Sequence, residues 1–142
     1  MKRLVGKVKM RTVILGILVV IALTACSTHM ASHETFQMSV DRYNELLSEQ
    51  KFDTARLFAS ETIAEEFSVR VKATKNIKVM GYHIVNVKYE ESKGEAEIEV
   101  EIEYYTLSSY RLKALLDIQK WAYVTENGTK QWRLMSLLPE FR

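Results

Sequence analysis

The sequence predicts an α+β fold, with N-terminal helices packed on a curved, mainly antiparallel β-sheet. Three observations carry this. Apolar residues recur with helical spacing between residues 34 and 71, the spacing switches to two after Lys75, and Ser92-Lys93-Gly94 and Asn127-Gly128 punctuate the second half as turns.

From Glu34 to Glu49, Phe36, Val40, Tyr43 and Leu47 stand at i, i+4, i+7 and i+11, with Leu46 beside them, which predicts a first helix with one apolar face. Asp53 is placed to cap a second helix in which Ala55, Phe58 and Ala59 share a face. A third is expected to begin near Ser60, where Thr62 and Glu65 can form a capping box and Ile63, Phe67 and Val71 recur every four residues. The last two can equally be one bent helix.

Ile77 to Tyr89 reads as a strand whose apolar set changes parity between Val79 and Tyr82 and again after Ile84, as a bulge at Gly81 would cause. In the next strand Ala96, Ile98, Val100, Ile102 and Tyr104 alternate with Glu95, Glu97, Glu99, Glu101 and Glu103, giving one apolar and one carboxylate face. A further strand is expected to turn Tyr110, Leu112, Ala114, Leu116 and Ile118 inward and Arg111, Lys113, Asp117 and Gln119 outward. A hairpin around Thr106 to Ser109 then sets Arg111 and Lys113 opposite Glu103 and Glu101. The alternation breaks at Lys120, which predicts a bulge or an exposed patch at Trp121 and Tyr123. Asn127-Gly128 joins that region to a last strand from Gln131 to Leu138, ended by Pro139.

Ahead of this domain, residues 1–11 hold Lys2, Arg3, Lys7, Lys9 and Arg11 and no acid, and Thr12 to Ala25 is a fourteen-residue, largely apolar run. A basic stretch, an apolar stretch and then small residues is the layout of a secretory signal, and the run is short of the roughly 20 residues a membrane span needs. At its end Leu23-Thr24-Ala25-Cys26 resembles the lipobox of bacterial lipoproteins. The resemblance implies cleavage before Cys26, a diacylglyceryl group on its sulfur and acylation of the new amino terminus. Ser27 in place of aspartate further implies export to the outer membrane, facing the periplasm. The expected organisation is a signal peptide over 1–25, a lipidated cysteine and polar tether over 26–33, and one domain over 34–142.

Removing those five cations from the 20 basic residues leaves 15 against 18 acidic ones, so the mature chain is mildly acidic. With no clustered Lys and Arg it is not expected to bind nucleic acid. Cys26 is the single cysteine, so no disulfide is expected and the fold must rest on its core.

The element order, the segment Asp53-Thr54-Ala55-Arg56-Leu57-Phe58 and the closing Gln131-Trp132-Arg133-Leu134-Met135-Ser136-Leu137-Leu138 resemble the nuclear-transport-factor-2-like superfamily. That resemblance implies a cone whose mouth lies between the helices and the concave sheet, in a group that includes isomerases, hydrolases and binding domains. If a pocket exists, Tyr43, Phe58, Phe67, Tyr82, Tyr104 and Tyr110 are expected to line it.

The isomerases of that group need a carboxylate inside the cone. Of the three aspartates, Asp41 lies off the helical stripe, Asp53 reads as a cap and Asp117 shares the outward parity of Arg111 and Lys113. No catalytic residue, cofactor or metal site is therefore expected. His29, His33 and His83 lack a ligand spacing, the serines lack a nucleophile-elbow setting, and alternate glutamates on a strand lie about 7 Å apart, too far to ring one ion. The expectation is a membrane-anchored, non-catalytic domain that binds a partner protein or a small apolar ligand; the alternative is a cone-pocket enzyme of isomerase or hydrolase type. The five carboxylates oppose dimerisation through the outer sheet face, and the oligomeric state is left open.

Overall fold

The computed structural model describes residues 32–142. The expected signal peptide, Cys26 and all but the last two tether residues lie outside the described part. Met38–Arg142 form one compact unit, while residues 32–37 belong to a separate one. Among the described residues no helix is long and apolar enough to cross a membrane.

Three helices are packed with a four-stranded, curved and unclosed antiparallel sheet, so the chain is α+β. Helix α1 runs through 32–48, α2 spans Phe52–Ala55 and continues as a 3-10 turn over Arg56–Phe58, and α3 spans Ala64–Lys72. The strands β1 (Ile77–Glu90), β2 (Glu95–Thr106), β3 (Lys113–Glu126) and β4 (Thr129–Leu134) form a meander in the order β1-β2-β3-β4.

The stripe of α1 is buried as its period requires, at Val40, Tyr43, Leu46 and Leu47. The helix ends in a Schellman motif: Lys51 N–H donates to Leu46 O at 2.8 Å and Gln50 N–H to Leu47 O at 3.1 Å. Gln50 holds the left-handed position at φ 60, where glycine is usual. Its side chain offsets that strain, because the amide donates to Val79 O at 2.8 Å and accepts from Val79 N–H at 2.9 Å, tying α1 to the start of β1.

Neither expected side-chain cap forms. Lys51, not Asp53, flanks α2, and Asp53 stands in its first turn, where a negative charge suits the helix dipole. Ile63 precedes α3, while Thr62 spends its hydroxyl on Ser60 at 2.7 Å. The neighbouring contacts explain this: Ala59 bridges to Leu134 and Ser60 N–H donates to Leu134 O at 2.9 Å, so the sheet edge fixes the chain entering α3.

The β1–β2 ladder shifts register between Val79 and Gly81 and again between Ile84 and Asn86, at the two expected parity changes. Ala96, Ile98, Val100, Ile102 and Tyr104 of β2 are all buried. Asn127 and Gly128 take φ 52 and 75, the positive pair a two-residue hairpin turn needs. β4 ends at Leu134 rather than Leu138, and the chain beyond turns Leu138 into the core and packs Phe141 on Tyr104 and Phe52.

Strand β3 departs from expectation. The link from β2 is not a tight hairpin at 106–109 but residues 107–112, with Tyr110 at φ 50. Lys113 pairs with Tyr104, Ala114 with Glu103 and Leu116 with Glu101, so neither Arg111 nor Lys113 faces those glutamates. The expected register is off by three residues, and an odd slip exchanges the two faces of a strand. Leu115, Asp117, Gln119 and Trp121 therefore face the helices, while Leu116 and Ile118 are 55% and 48% exposed on the other face. There is no bulge at Lys120, and Trp121 is buried, not part of an exposed patch.

This exchange of faces is measurable by chemical denaturation. Ile98→Ala, on the filled face, should cost about 2–5 kcal/mol, whereas Ile118→Ala should cost less than about 1 kcal/mol.

Candidate functional site

The candidate site is a polar cluster beneath the middle of β3. Because β3 presents odd-numbered residues to α1, Asp117, Gln119 and Trp121 stand in a row on its inner face, opposite Val100, Ile98 and Ala96 of β2. Asn44 follows Tyr43 on α1 and meets that row from the helix side.

The two amides bond each other reciprocally: Gln119 Nε2 donates to Asn44 Oδ1 at 2.8 Å and Asn44 Nδ2 to Gln119 Oε1 at 3.3 Å. Asn44 Nδ2 also donates to Val40 O at 2.9 Å, Gln119 Nε2 to Asp117 Oδ2 at 3.0 Å, and Trp121 Nε1 to Gln119 Oε1 at 3.4 Å. Gln119 is fully buried with both its atoms in use, which removes the usual penalty for a buried amide.

Two groups remain poised. Asp117 is 6% exposed, and burial lifts its carboxyl from the ordinary 3.8 to about 6, against the opposing pull of the Gln119 hydrogen bond. The Tyr43 hydroxyl is buried with no hydrogen-bond partner, and burial first, then the Asp117 charge, pushes its pKa well above 10. The pair thus offers a proton acceptor that titrates near neutrality beside a hydroxyl kept protonated.

The residues expected to line a pocket are scattered over the fold. Tyr43 and Phe58 meet, joined by Trp121, in an edge-to-face triangle with ring centroids 5.7 to 6.3 Å apart. These rings fill the space between α1, the 3-10 turn and β3. Phe67 is buried in α3. Tyr82 is half-buried on β1, its pKa raised by burial and then by Asp41 and Glu45. Tyr104 lies at the far end of β2, its hydroxyl donating to Arg142 O at 2.7 Å. Tyr110 is 73% exposed, not inward, and stacks on Tyr105 at 5.7 Å.

The expectation that no carboxylate enters the interior is overturned by Asp117, for the register reason given above. Asn44, Gln119 and Trp121 were not anticipated as partners either. The available signal was Asp117-x-Gln119-x-Trp121: a tryptophan on the parity of two polar residues marks that parity as the buried one. Among the described residues no group of His, Cys, Asp and Glu side chains is placed to hold a metal ion. Comparison with known protein families and with characterised proteins finds no match to this chain.

The Asp117 carboxyl has a stability signature. Its folded-state value stands above the unfolded one, so its favourable contribution is full below about 3.8 and is lost as pH rises through about 6. Asp117→Asn keeps an acceptor for Gln119 and removes the charge. It should stabilise the domain by up to about 3 kcal/mol at about pH 7.5 and change little near pH 4, read from denaturation midpoints across that range.

Proposed function

We propose that this chain is a lipid-anchored protein of the bacterial envelope whose domain is a non-catalytic module for binding a protein partner. The observation that carries the binding reading is the distribution of aromatic and aliphatic side chains. The rings of Tyr43, Phe58 and Trp121 fill the interior against one another, while Leu116 and Ile118 stand exposed on the outer face of β3 and Leu112 is exposed in the link just ahead of it. A filled interior favours a protein partner over a small apolar ligand, and exposed aliphatic side chains on neighbouring positions are what partner surfaces use.

The anchor rests on the basic stretch, the apolar run and Leu23-Thr24-Ala25-Cys26 in that order. Several acyl chains hold a protein at a bilayer far more firmly than one, each buried methylene adding about 0.8 kcal/mol. The succession of helices and an antiparallel meander supports a place in the nuclear-transport-factor-2-like superfamily, and Ser27 supports the outer membrane as the destination.

A second reading has one observation in its favour, the buried Asp117 carboxyl beside the unpartnered Tyr43 hydroxyl. In a cone-site enzyme of isomerase or hydrolase type, Asp117 would move the proton and Tyr43 would donate to the developing negative charge. The Tyr43–Phe58–Trp121 triangle would have to open to admit a substrate, which ranks this reading second.

Two experiments test the first reading. Cys26→Ser should abolish both the acyl mass increment and retention in the membrane fraction, and unchanged fractionation refutes the anchor. A photo-cross-linker at Leu112 should give a discrete protein adduct in cells, with none from the similarly exposed Val69 on α3; equal labelling from both refutes a partner at β3.

A further inference from the structure

Strand β4 pairs with β3 only from Trp121 to Glu126. Residues 113–120 of β3 are thus paired with β2 on one side and with no strand on the other. The chain beyond β4 runs back past this edge and meets its backbone at Lys120, whose N–H donates to Ser136 Oγ at 3.1 Å. Met135 N–H donates to Lys120 O at 2.7 Å, Lys113 Nζ donates to Arg142 O at 2.6 Å, and between these two ties Leu138 turns into the core. What is left is an open groove of about 800 Å³ between Leu115–Ile118 and the segment 135–142.

Proteins usually protect such an edge with a bulge, a proline or a covering loop. The stretch 113–120 contains no proline and pairs with β2 without a register shift, and its outward side chains Leu116 and Ile118 are about half exposed. Lysine appears only at its two ends.

We propose that this edge accepts an extended segment of a partner protein as a fifth strand, apolar at alternate positions and acidic at its ends. The proposal rests on the reading of the domain as a protein-binding module and specifies how it binds. Main-chain hydrogen bonds supply the affinity in such strand addition, and alternate side chains supply the selectivity. On the outer face those side chains meet Ala114, Leu116 and Ile118, which fixes the apolar positions.

Charge fixes the ends. Lys120 bounds the edge at one end and Lys113, whose ammonium donates to Arg142 O, at the other, and Arg70 and Arg142 flank the groove. Glu140, the one acid lining it besides buried Asp117, is already bridged to Arg70 at 3.5 Å and Arg142 at 3.0 Å. The β2 glutamates stand two strand spacings from an added strand, about 10 Å, where salt screens them; the edge lysines are half as far.

Fluorescence anisotropy on the detergent-solubilised full-length protein tests this. The probe is a labelled eight-residue peptide alternating valine and threonine between glutamate ends, compared with the same peptide carrying lysine ends. The glutamate-ended peptide should bind saturably, the lysine-ended one at least tenfold more weakly, and amide exchange over 114–119 should slow on binding. Leu116→Lys with Ile118→Lys, both at exposed positions, should abolish binding with an unchanged melting transition. The proposal is overturned if neither peptide binds, if end charge makes no difference, or if the double variant still binds. It is equally overturned if the protein sediments as a dimer that the double variant dissociates, since a second copy then occupies the edge. A Leu112 cross-link without peptide binding overturns the added strand alone and leaves the broader reading standing.

Discussion

The register between β2 and β3 is the constraint on which the rest of the structure depends. With Val100 opposite Asp117 and Ile98 opposite Gln119, one face of β3 must carry Leu115, Asp117, Gln119 and Trp121 into the space under α1. Side chains on a strand without a bulge alternate, and β3 pairs with β2 without one, so the same choice commits Leu116 and Ile118 to the outside. The six-residue link 107–112 sets that register, and its left-handed turn at Tyr110 absorbs the chain that a tight hairpin would have left in the strand.

A face with two polar residues in its middle is tolerable only if the opposing helix answers them, and Asn44 does. Its reciprocal amide pairing with Gln119 locks the rotation of α1 over the sheet, since a turn of one residue would remove both bonds and take from the buried Asn44 Oδ1 its hydrogen bond from Gln119. Beside this saturated pair, Asp117 keeps one hydrogen bond, from Gln119, and the Tyr43 hydroxyl has none. The interior is therefore not uniformly satisfied: it combines a rigid amide clasp with a local store of unmet polarity. Both Asp117 and Tyr43 have their titration raised by burial, and Asp117 also lines the groove beside β3.

Much of this was legible from residue patterns. The Glu and aliphatic alternation of β2 admits only one orientation, Gly81 lies where β1 bulges, and Asn127-Gly128 turns as its residue types require. β3 misled because its two parities were both readable, and the apolar one, Tyr110 through Ile118, is the conventional choice. What reverses that preference is non-local: Asn44 lies 75 residues from Gln119 and cannot be foreseen from the strand itself. The helix starts failed similarly, since Ser60 and Thr62 were claimed by each other and by the sheet edge at Leu134. Of the aromatics marked in advance, Tyr43 and Phe58 converge because Trp121 joins them, and Tyr104 and Tyr110 go elsewhere because the chain after β4 and the 107–112 link hold them there.

The path taken after β4 bears on the order in which the molecule assembles. Phe141 packs edge-to-face against Tyr104 and Phe52, Arg142 meets the Tyr104 hydroxyl, and Leu138 fills the centre, so contacts reaching back to α2 and β2 close only through residues 138–142. A growing polypeptide that has emerged as far as Glu126 can zip β1 to β3, yet it still exposes the greasy underside that those last residues seal. Such dependence on distant partners slows collapse and lengthens the interval in which an unfinished chain is vulnerable to proteases and to its neighbours.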